Sequence, residues 1–107
     1  MATAGDRFET IARRELGVRD SAEIVTVELG RPYEDNGPYG CPLRISFRDC
    51  RIEQVIFGED GFQALILALK IIPTFLEHTD DLPKGRMFWL EPTSDTGFSL
   101  SKSEYYE

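Results

Sequence analysis

The chain carries a single histidine, His78, with Asp80 and Asp81 just after it. An imidazole beside carboxylates is the raw material of a general acid–base pair or a metal site. Both need side chains that converge within a few ångströms. These three lie in series at the end of one segment, whereas catalytic groups normally come from several elements. A solvated helix terminus accounts for them better. Glu34 with Asp35, and Glu59 with Asp60, are adjacent carboxylates. Neighbours in sequence point apart, and Asp60 is placed to cap a helix. No Gly-x-Ser-x-Gly, phosphate-binding loop or paired Cys-x-x-Cys occurs. Gly37-Pro-Tyr-Gly40 is a turn signal, and Pro38 lacks an N–H that a phosphate cradle would use. Cys41 and Cys50 match no zinc spacing. If one extended strand separates them they stand about 30 Å apart, and a disulfide spans roughly 4.4 to 6.8 Å. They read as two reduced thiols, one packed and one near a turn. No catalytic residue, metal ligand or cofactor is assigned.

Nineteen acids against twelve bases leave a net charge of −7 over 107 residues. That opposes binding to a phosphate backbone, which needs clustered cations. Arg44, Arg48 and Arg51 do gather along one stretch, but Asp49 and Glu53 stand among them, so a local lattice of ion pairs is expected. The length suits one domain, residues 1–107. The longest apolar runs, Ala64–Leu69 and Met87–Leu90, fall short of a membrane span. The first ten residues hold no apolar stretch of signal-peptide length, so a cytoplasmic protein is expected.

The elements that must position any site follow from periodicity. Residues 8–18 place Phe8, Ile11, Ala12 and Leu16 at helical spacing, so the pattern alone favours a helix. Ile24–Leu29 alternates as a strand, with Val25, Val27 and Leu29 on one face. Arg31–Gly40 holds two prolines, two glycines and Asn36, and reads as a ten-residue loop. Leu43–Arg48 is the cleanest strand. Ile52–Phe57 is its antiparallel return, apolar on both faces and so expected to be central. Phe62–His78 is a helix with Asp60 as N-cap and Gln63 at the capping-box spacing. Pro73 predicts a kink or two abutting segments. Arg86–Glu91 is a last strand, and 99–107 is a polar stretch expected to be partly mobile.

Several stretches resemble a small bacterial domain family of unknown function found in short stand-alone proteins. They include Phe8–Leu16, Val25-Thr-Val-Glu-Leu-Gly-Arg-Pro32, Cys41-Pro-Leu-Arg-Ile45, Gly58–Leu69 (with Asp60, Gln63, Ala64 and Leu65) and Gly97-Phe98. One departure is Pro73, where such sequences carry a small helix-compatible residue. The resemblance implies no activity. It does imply that 8–18 is the first strand of a hairpin with 23–30. The expected architecture is then α+β: an antiparallel four-stranded meander, one long helix packed on a sheet face, and a fifth strand (β-β-β-β-α-β).

Two features favour binding over catalysis. The helix confines its polar residues Gln63, Lys70, Thr74 and Glu77 to about 60° of its circumference at 100° per residue. Its apolar arc therefore exceeds one contact face, and Ile66, Leu67 and Ile71 are candidate oligomer-interface residues. The loop residues Tyr33, Glu34, Asp35 and Tyr39, with Glu77, Asp80 and Asp81, are candidates for meeting a basic partner. The expected function is a non-catalytic protein-binding domain, in its sharpest form a bacterial immunity or inhibitor protein, or else a homodimer. One alternative is a small-molecule or enzymatic pocket between helix and sheet, lined by Trp89, Phe57 and Phe62. The other is a homo-oligomeric structural role. No nucleic-acid or membrane partner is expected.

Overall fold

In a computed structural model, residues 8–98 are described. The expected tail, 99–107, lies outside them. Six strands and one helix follow in the order β1 (Thr10–Val18), β2 (Ile24–Gly30), β3 (Tyr33–Glu34), β4 (Tyr39–Phe47), β5 (Cys50–Gly58), α1 (Gly61–His78) and β6 (Met87–Phe88). β1, β2, β4 and β5 form an antiparallel meander. β6 adds to the outer side of β1, and β3 pairs with the first residues of β4. The helix packs across β4 and β5 on one face, giving a two-layer α+β fold.

Alternation decides which side chains meet the helix. The register aligns Leu16 with Val25, Val27 with Ile45, Leu29 with Leu43, and Cys41 with Ile56. Successive strand residues face opposite sides, so these form one apolar face. Leu16, Val25, Cys41, Leu43 and Ile45 are wholly buried there. From the helix come Ala64, Ala68, Ile72 and Leu76, one residue per turn. The two alanines let the helix backbone come close. A Cβ added at Gly58 would stand 2.5 Å from the Ala64 nitrogen. On the outer face Arg44 sits between Glu28, at 3.8 Å, and Glu53, at 3.0 Å, across three strands. Arg48 pairs with Glu23. These ion pairs realise part of the expected lattice.

Several expectations are corrected. Residues 10–18 form the strand of a hairpin with β2 that the family resemblance implies, and the helical spacing of their apolar residues is what is set aside. Tyr33–Glu34 is a short strand within the expected loop, returned by Asn36 and Gly37, both at positive φ, and closed by the Asp35 N–H donating to the Pro38 carbonyl at 2.7 Å. Asn-Gly is the pair that such a two-residue hairpin turn favours. β5 is an edge strand, not a central one, because it pairs with β4 alone. Its outer apolar residues have another use: Val55, Phe57 and the Tyr33 ring crowd over Gly40, where a Cβ would clash. The last strand shortens to two residues. Leu90 adopts φ 72, and the Trp89 N–H donates to the Asp95 carbonyl instead of a strand. Finally, the helix is one continuous element through Pro73 and not two abutting segments.

Candidate functional site

The helix is held at both ends of its sequence signal. The Asp60 carboxylate accepts the Gln63 N–H at 2.8 Å, and the Gln63 side chain accepts the Glu59 N–H at 2.6 Å. The first bond satisfies a donor that the first turn leaves open, and the second ties the residue before the cap to that turn. With the buried stripe turned to the sheet, an apolar flank is left in solvent. Phe62 is 79% exposed and Ile66 49%, and Leu69 is exposed beside them. These residues stand at i, i+4 and i+7, so they share one side of the helix. Below Leu69 the flank opens into a groove of about 160 Å³ lined by Ala12, Val27, Leu29, Leu69, Ile72 and Phe98, with Arg13 and Arg14 also in its wall. Leu67 is exposed on the other flank, and Ile71 is half-buried and packs on the core. The three expected interface residues therefore do not share one surface.

The candidate partner-facing residues separate into two groups. Tyr33, Glu34, Asp35 and Tyr39 belong to the β3–β4 hairpin beside the helix start, where Gly61 lies close to Pro32 and Tyr39. Glu59 and Asp60 join them at that end. Tyr39 is half-buried against the core. Glu77, Asp80 and Asp81 lie at or beyond the C-terminus of the helix, about 27 Å away at 1.5 Å per residue. The Asp80 carboxylate accepts from Lys84 at 2.8 Å, which holds its pKa below the usual carboxylate range. Asp81 borders a hollow with Arg48 and Asp49. Among the described residues, no three His, Cys, Asp or Glu side chains gather as a metal site would require.

Phe57, Phe62 and Trp89 do not line one pocket. Phe57 lies on the outer sheet face, and Phe62 projects into solvent. Trp89 stacks on Arg14, whose guanidinium carbon lies 3.6 Å from the indole centroid and 4.6 Å from that of Phe98. Arg14 also donates to the Thr96 carbonyl at 3.1 Å. It stands on the helix-facing side of β1, between Ala12 and Leu16, and burial pulls its pKa below the usual guanidinium value. Gly97 (φ +76) passes so close that a Cβ would meet Arg14 and Trp89. Residues 89–98 thus clasp β1. Between this clasp and the helix lies an open groove of about 380 Å³, lined by Arg19, Leu76, Glu77, Met87 and Thr93–Thr96 among others.

A family model described as a domain of unknown function (DUF6968) matches residues 12–100. The chain belongs to that family. No curated protein and no solved structure matches it. The matched part of this DUF6968 chain begins within β1 and takes in the whole helix, Arg14, Trp89 and Phe98. Sequence reasoning missed that clasp, because its partners lie about 80 positions apart and nothing local joins an arginine to a distant tryptophan. The one available signal was a cation at position 14, where a strand turned to the core would carry an apolar residue. Among the described residues, no helix of the DUF6968 domain is long and apolar enough to cross a membrane.

Proposed function

We propose that the chain is a non-catalytic protein-binding domain of the bacterial cytoplasm. It takes a partner whose apolar anchors are ringed by basic groups. The observation that carries this reading is the helix flank Phe62, Ile66 and Leu69, left in solvent beside the stripe that is fully buried. Contiguous exposed apolar surface rimmed by charge is characteristic of protein interfaces. Glu34, Asp35, Glu59 and Asp60 sit at the Phe62 end, and the chain carries −7 overall, so a cationic partner is steered toward that end. In its most specific form the partner is a basic toxin or enzyme that this domain masks.

The test is co-purification from the native cell at low and high salt, with a Phe62→Ser/Ile66→Ser variant alongside. A basic partner retained at low salt, released at high salt and absent from the variant is expected. A variant that retains the same proteins as the parent chain overturns the reading.

A second reading draws on the 380 Å³ groove, whose volume is in the range of small-molecule sites. Arg19 and Glu77 give it opposite charges, which suits a compound bearing both an amine and a carboxylate. A thermal-shift screen of such compounds, with Glu77→Gln as control, separates this reading from the first.

A further inference from the structure

We propose that β5 is a self-association edge, across which two copies of the chain join their sheets by antiparallel β5–β5 pairing. This surface is separate from the helix flank proposed above for a basic partner.

β5 is nine residues long, pairs without a register shift along all of β4, and has no strand on its other side among the described residues. The pair Phe47–Cys50 closes a two-residue turn, so Cys50, Ile52, Gln54, Ile56 and Gly58 direct their backbone groups to β4. Arg51, Glu53, Val55 and Phe57 direct theirs outward. Natural sheets blunt a long edge with proline, a bulge, a short strand or charged side chains. β5 has no proline or bulge and is nine residues long; of its two charges, Glu53 is tied to Arg44 and Arg51 alone is left to face a partner. The opposite edge is treated differently, because β6 and the 89–98 clasp shield β1.

The argument for a second copy is self-complementarity. A two-fold axis at Gln54 sets Arg51 opposite Phe57 of the partner copy, Glu53 opposite Val55, and Ile52 opposite Ile56. All four outward-facing residues of each strand then pair, giving about eight hydrogen bonds. Arg51 meets the face of an aromatic ring that is 49% exposed in one copy. Glu53 brings no free charge to the junction, because Arg44 holds it at 3.0 Å.

The second layer closes as well. A two-fold perpendicular to the sheet puts both helices on the same face. Each helix is seated over β4 and β5. With strands about 4.8 Å apart, the two helix axes fall about 10 Å from each other, an ordinary packing distance. Leu69 and Ile72 look toward β1 and β2. The other flank, with Leu67 and half-buried Ile71, therefore looks toward the β5 edge and its copy.

The experiment is sedimentation equilibrium of the full chain over a wide concentration range, with two variants. The parent chain is expected to approach twice its monomer mass. Val55→Pro removes an outward N–H without touching the β4 ladder, so it is expected to stay monomeric with an unchanged far-ultraviolet spectrum. Gln54→Cys, made with Cys50→Ser, puts two thiols at a non-hydrogen-bonded pair about 4.5 Å apart at Cα, within reach of a disulfide. It is expected to cross-link under mild oxidation. A parent chain that is monomeric at every concentration overturns the proposal. If its Arg51, Glu53, Val55 and Phe57 amides are also protected from hydrogen exchange, the edge is covered by the chain's own ends. A dimer that survives Val55→Pro and leaves the Gln54→Cys thiols free overturns it equally, because the two copies then meet elsewhere.

Discussion

Ile72→Ala and Ile66→Ala remove the same atoms from the same helix, and they are expected to differ about threefold in their effect on stability. Ile72 is 1% exposed and belongs to the stripe seated on the sheet. Full burial of an isoleucine side chain contributes about 1.5 to 3 kcal/mol, and the cavity left by truncation adds to the loss. A loss of about 3 kcal/mol is expected. Ile66 is half in water and leaves no closed cavity, so about 1 kcal/mol is expected there. The assay is urea unfolding followed by far-ultraviolet circular dichroism. With a slope of about 1.5 kcal/mol per molar, Ile72→Ala shifts the midpoint by roughly 2 M and Ile66→Ala by less than about 1 M. Since a domain of this size holds about 5 to 15 kcal/mol in all, both variants still fold. Co-purification should show the reverse order, with Ile66→Ala losing the partner and Ile72→Ala keeping it. Equal midpoint shifts would refute the reasoning, because the helix would then not be seated by the stripe that frees its flank.

Three further outcomes are expected. Gly58→Ala should destabilise the fold by about 2 kcal/mol or more, because the new methyl meets helix backbone that cannot swing aside; an unchanged melting temperature would mean that the helix does not lie so close to β5. Burial pushes the Cys41 thiol from its ordinary 9.0 up to about 11, so the fold favours the protonated form. The stability this contributes is complete well below pH 9 and is lost as pH rises through 9 toward 11. Denaturation midpoints across that range, compared with Cys41→Ala, check it. Arg14→Met should quench-shift Trp89 and make the 89–98 segment sensitive to protease while the far-ultraviolet spectrum stays native, since the guanidinium both stacks on Trp89 and bonds to Thr96.

Much of the fold is determined by local pattern. Alternation in Ile24–Leu29 and Leu43–Phe47 sets their buried faces, and the Asp60–Gln63 spacing sets the start of the helix. The excess of apolar residues on that helix is legible in the sequence alone, because one turn holds too few polar side chains to cover an exposed arc. Other features are tertiary. Residues 10–18 look helical because Arg14 interrupts the apolar alternation of a strand, and only Trp89 and Phe98, brought back from the far end of the chain, make an arginine tolerable on that face. β5 looks central because Val55 and Phe57 are apolar, yet they serve to cover Gly40 next to Tyr33. The two groups of carboxylates look alike in sequence, and the helix between them holds them at opposite ends of the molecule. In each case, local sequence determines what a segment can form alone. Contacts between residues tens of positions apart decide which of its faces meets protein and which meets water.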